Sequence, residues 1–90
     1  MFVQVAHDVL DRDAWEKLAA EWTGPPAGFK LHTSLTTQDH SKIFCLWEVE
    51  SVGALSEILD AQTKGVLKNT YYAIDQNAPL TSLPREAVPH

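Results

Sequence analysis

The stretch KLHTSLTTQDHSKIFCLWEV, Lys30 to Val49, decides how this chain folds. Two runs of strand-forming residues flank a polar, turn-prone segment, Gln38-Asp39-His40-Ser41. Successive side chains of a strand point to opposite faces. The odd positions are Leu31, Thr33 and Leu35, then Ile43, Cys45, Trp47 and Val49. They are mostly bulky or β-branched, the composition of a face packed under helices. The even positions, Lys30, His32, Ser34 and Thr36, then Phe44, Leu46 and Glu48, mix polar with apolar.

A register must set like face on like face, because a slip of one residue inverts every side chain. The register that satisfies this pairs Leu35 with Cys45 and Thr33 with Trp47. On the even face it pairs Thr36 with Phe44, Ser34 with Leu46, and His32 with Glu48. Opposite Cβ atoms lie about 4.5–5.5 Å apart, so His32 and Glu48 are expected within reach of each other.

Working outward toward the N-terminus, Phe2 to His7 reads as a strand. Val3 and Val5 take one face, and Phe2, Gln4 and Ala6 the other. Asp11 is a good N-cap, Leu10 and Trp15 suit a hydrophobic staple, and Asp13 suits the first-turn dipole. Ala14, Trp15, Leu18, Ala19 and Trp22 then recur at helical spacing until Gly24-Pro25-Pro26 stops the helix. Toward the C-terminus, Ser51 caps a second helix with Val52, Leu55, Ile58, Leu59 and Gln62 inward, and Gly65 ends it. Leu67 to Asp75 reads as a fourth strand, in which Tyr71 and Tyr72 compete for the inward face. Residues 1–75 are expected to form one α+β domain, and the Pro-rich, patternless 76–90 an extended tail. The order strand, helix, strand, strand, helix, strand predicts a ferredoxin-like βαββαβ antiparallel sheet with two helices on one face.

Two helices cover only one face. The other would carry Phe2, Phe44 and Leu46 beside His32, Ser34, Thr36 and Glu48, a patch that monomers avoid leaving bare. A second copy stacked sheet to sheet about a two-fold axis would cover it, so a homodimer is expected. This element order, length and amphipathic second face resemble the dimeric α+β barrel superfamily, over roughly residues 1–75. The resemblance implies a site between sheet and helices or inside the barrel, and chemistry such as cofactor-free monooxygenation or isomerisation. The segment KIFCLWEVES, residues 42–51, also resembles small ferredoxin-like proteins proposed to bind nickel through clustered histidines. This chain carries His7, His32, His40 and His90.

In the first reading the protein is a dimeric barrel that binds a small molecule, with no cofactor. His32 is its general base, and Glu48 holds the imidazole tautomer and raises its basicity. Gln4, Ser34 and Thr36 orient the ligand, and Phe44 and Leu46, with Phe2, pack its apolar part. One of the two tyrosines, assigned to Tyr72, offers a phenolic proton. In the second reading His32 and Glu48 hold a divalent transition metal, with Gln4 or the two-fold mate completing the three or four donors such ions need. In the third, the dimer is structural or regulatory and the even face is interface alone.

Composition narrows the partners. Net charge is −5 and the pI about 5.1, so there is no basic footprint for nucleic acid. No polybasic segment or long apolar run suits a membrane. The opening MFVQVAHDVLDRD does not read as a signal peptide, and a cytoplasmic location is expected. Cys45 is the single cysteine, which excludes an internal disulfide and predicts a buried, inert thiol. Trp15, Trp22 and Trp47 read as core. No phosphate-binding glycine loop, GxSxG, HExxH or CxxC occurs, so nothing supports nucleotide-dependent chemistry or classical hydrolysis.

Overall fold

Alternating apolar residues make β1, Phe2–Val9, a central strand, and its Val3 and Val5 are wholly buried. A computed structural model describes residues 1–84. After β1 come α1 (Arg12–Glu21), β2 (Lys30–Thr36), β3 (Lys42–Glu48), α2 (Val52–Gln62) and β4 (Leu67–Ala73). The strands form one antiparallel sheet in the order β2-β3-β1-β4. This is an α+β fold, compatible with the ferredoxin-like arrangement. The expected tail falls partly on residues 85–90, including His90, which lie outside the described residues. Among the described residues no helix is long and apolar enough to cross a membrane.

The core lies on one face of the sheet. Val3, Val5, Ile43, Cys45 and Trp47 pack there against Leu55 and Leu59 of α2, with Trp15 of α1 at the margin. Ser51 caps α2 by accepting from the Ala54 N–H at 3.1 Å. Burying Leu55 and Leu59 anchors that helix, at about 1.5–3 kcal/mol per side chain. Asp11 caps α1 in the same way, accepting from the Ala14 N–H at 3.0 Å. Yet α1 buries no residue fully: Trp15 and Leu18 are half-buried, and Trp22, its C-cap, is 46% exposed. The apolar stripe of α1 therefore faces the sheet without closing onto it.

The hairpin forms in a different register from the one read in the sequence. Thr33 opposes Leu46, Ser34 opposes Cys45, Leu35 opposes Phe44 and Thr36 opposes Ile43. Before the irregularity, Lys30 opposes Glu48 and Leu31 opposes Trp47. His32 is the additional residue of a β-bulge, and parity reverses across it. The cause is the turn. The Asp39 carboxylate accepts from Thr37 Oγ1 at 2.8 Å, Ser41 N–H at 3.0 Å and Ser41 Oγ at 2.8 Å. The Lys42 N–H donates to Thr37 Oγ1 at 3.1 Å, and the Thr37 N–H to the Lys42 carbonyl at 2.9 Å. This knot closes the hairpin on Thr37 and Lys42, which sets every pair back to the bulge. His40 takes the left-handed conformation (φ 61°) that the turn needs. Ser34 and Thr36 consequently share the helix face with Cys45 and Ile43, while Thr33 and Leu35 join the open face.

The tyrosine ambiguity is resolved by β4. Tyr71 opposes Val5 on the helix face, and Tyr72 opposes Gln4 on the open face.

Candidate functional site

On the open face the bulge aims His32 at Glu48. Nε2 lies 2.8 Å from Oε1, and the imidazole is only 6% exposed. An ionised carboxylate can only accept, so the proton between them sits on Nε2. Phe2, directly opposite Glu48, packs its ring 5.4 Å from the imidazole at 42°. Gln4, Phe44, Leu46 and Tyr72 share this face; Gln4 lies between Leu46 and Tyr72. Ser34 and Thr36, expected beside His32, do not. The face is also less bare than expected. Phe2 and Leu46 are buried within the single chain, and Leu35 and Tyr72 are the apolar residues left well exposed, at 65% and 54%.

Beneath α1, on the other side of the sheet, is a cavity of about 220 Å³. Trp15 and Leu18 of α1, Leu31 of β2 and Trp47 of β3 give it apolar walls. His7, Ser34, Cys45, Gln62 and Thr63 place polar groups in them. Trp22 stands at the edge.

His7 stands in β1 at the opposite parity from Gln4. That parity places it on the helix face, 5% exposed and directly across from Asn69. His7 Nδ1 and Asn69 Oδ1 are 2.5 Å apart. The Asn69 amide nitrogen donates to Asp60 Oδ1 at 3.0 Å and to Thr63 Oγ1 at 2.9 Å. Thr63 Oγ1 in turn donates to the Leu59 carbonyl at 2.7 Å, and the Tyr71 hydroxyl donates to Asp60 Oδ1 at 2.7 Å. With both amide hydrogens committed, Oδ1 of Asn69 is the atom that faces His7. His7 must therefore donate from Nδ1, which leaves Nε2 unprotonated. Burial lowers the His7 pKa, against a smaller opposing effect of the Asn69 contact, so the ring is neutral near pH 7. The bonds from Tyr71 and Asn69 hold Asp60 below its usual range, while burial and then Asp60 push Tyr71 up.

Two further groups in the cavity wall have unusual environments. Burial pushes the Cys45 thiol up, although its S–H lies 3.6 Å from Ser34 Oγ; this is an inert thiol at neutral pH. Trp47 Nε1 is buried with no hydrogen-bond partner among the described residues. Such an unpaired donor costs about 1–3 kcal/mol.

Among the described residues no three His, Cys, Asp or Glu side chains cluster closely enough to hold a metal ion. No family model matches this sequence, and no curated protein or solved structure matches it.

The signal for His7 was present in the sequence. A histidine in phase with Val3 and Val5 is heading into the core, and a buried imidazole needs a partner. Asn69, two residues before Tyr71 in β4, supplies it.

Proposed function

We propose that this protein binds an uncharged small molecule in the cavity between α1 and the sheet. One observation carries this reading: about 220 Å³ of largely apolar space under a helix that buries none of its own residues. A pocket with apolar walls and a few convergent polar groups is the usual form of a small-molecule site. A dry protein cavity of about 150 Å³ accepts benzene, so this one suits a molecule of about two fused rings. Titration of the protein with neutral bicyclic compounds, followed by amide NMR shifts, should give saturable changes around Leu31, Cys45 and Trp47. Ala19→Phe, which fills the cavity from α1, should abolish them. Shifts that never saturate, or that survive Ala19→Phe, would sink the reading.

A second reading is supported by the His32–Glu48 contact on the open face. Here the chain is a homodimeric, ferredoxin-like α+β barrel whose open faces stack. Gln4, Phe44, Leu46 and Tyr72 line the space between them, His32 acts as a base without a cofactor, and Glu48 orients it. Sedimentation equilibrium tests the assembly. A protein that stays monomeric at several hundred micromolar leaves no inter-sheet site, and this reading falls.

A further inference from the structure

We infer that His7 selects the ligand of the helix-side cavity: an uncharged fused-ring molecule bearing a hydroxyl or ring N–H, which donates to His7 Nε2. This rests on the cavity reading above. The cavity wall contains no Asp, Glu, Lys or Arg side chain, and an unpaired charge is costly to bury in such surroundings. The ligand is therefore neutral.

Its polar handle follows from the hydrogen-bonding groups of the wall, of which Trp47 Nε1 can only donate and Gln62 is exposed to solvent. Thr63 Oγ1 is taken up by Asn69 and the Leu59 carbonyl. Cys45 and Ser34 are directed at each other. His7 has one nitrogen bound to Asn69, and its Nε2 makes no hydrogen bond among the described residues. The bonds from Asn69 to Asp60 and Thr63 prevent the amide from turning over, so His7 cannot exchange tautomers without breaking them. Nε2 is a lone pair held in place, and only a donor completes it. Burial keeps the ring neutral, so the lone pair remains available at neutral pH.

The test uses the full chain and two probes of equal ring system, 2-naphthol and naphthalene, in calorimetric and NMR titrations. Naphthalene is the more apolar of the two, so apolar burial alone favours it. The inference expects 2-naphthol to bind more tightly by about threefold to tenfold, the worth of one net hydrogen bond. His7→Phe should reverse that order. The imidazole ¹⁵N resonances provide a check that needs no substitution. In the free protein His7 should show a protonated Nδ1, and its Nε2 resonance should shift on adding 2-naphthol. If both probes bind with the order set by apolarity and Nε2 does not shift, His7 does not select the ligand while the cavity reading stands. If neither binds, the cavity reading fails and takes the inference with it.

Discussion

His32 meets Glu48, Nε2 to Oε1 at 2.8 Å, from the position of the β2 pairing that has no partner of its own in β3. In a regular strand His32 and Ser34 would point to the same side. The bulge separates them, sending His32 to the open face with Phe2 and Ser34 to the cavity with Cys45.

The contact is nearly closed to solvent on the histidine side, so its loss should be measurable in stability. A hydrogen bond to a charged group contributes about 1.5–3 kcal/mol. His32→Ala removes both that bond and the packing on Phe2, and is expected to lower unfolding free energy in urea by about 2 kcal/mol. Glu48→Gln keeps an acceptor for Nε2 and should cost less than His32→Ala. Equal losses for the two variants would contradict the assigned geometry.

His7 gives the fold a pH dependence of defined sign. Its folded-state pKa lies below the unfolded value of 6.5. Below that value the unfolded chain binds more protons than the native one, so stability falls as pH drops and is complete above it. The ring faces Asn69 directly, Asp60 and Tyr71 lie behind Asn69, and Cys45 shares the cavity. None of these three is expected to change charge between pH 7.5 and 5.5. Urea midpoints at those two pH values should fall for the native protein, and the drop should be smaller in His7→Phe. An identical drop in both proteins would assign the effect to other groups.

Much of this architecture was legible from residue patterns. Asp11 and Ser51 were identified as N-caps because short polar side chains before apolar helical repeats have few other uses, and both caps form. The hairpin itself was plain from Leu31 to Val49. Its register was not, because face matching takes no account of the turn. Thr37 and Asp39 form a hydrogen-bonded knot that closes on Lys42, and the mismatch with the far end of the hairpin is absorbed at His32. The contact between His32 and Glu48 was thus anticipated from a register that does not form. The α1 stripe was read as core, since periodicity shows which way a helix faces but not how closely it settles. The space under α1 depends on that distance.

The same turn yields a prediction in acid. Three donors from Ser41 and Thr37 hold Asp39 at a pKa of about 2, against an ordinary value of 3.8. A depressed carboxylate contributes stability that is present above pH 3.8 and is lost as pH falls toward about 2. Asp39→Ala should therefore be less stable than the native protein at pH 6, and the two should converge near pH 2. The substitution should also loosen the register, seen as faster amide exchange at Thr37 and Lys42. A gap between the two proteins that persists unchanged at pH 2 would mean that Asp39 acts through something other than its charge.

The two helix caps separate stability from cavity integrity. Removing either cap costs about 1 kcal/mol. The helices differ in what else holds them: α2 has Leu55 and Leu59 in the core, whereas α1 has no buried residue. Asp11→Ala should speed amide exchange throughout residues 12–21 and weaken 2-naphthol binding, because α1 supplies Trp15 and Leu18 to the cavity wall. Ser51→Ala should cost a similar amount in urea and leave both exchange in α1 and binding unchanged. If the two substitutions weaken binding equally, affinity follows global stability, and the placement of α1 over the cavity has no separate part in it.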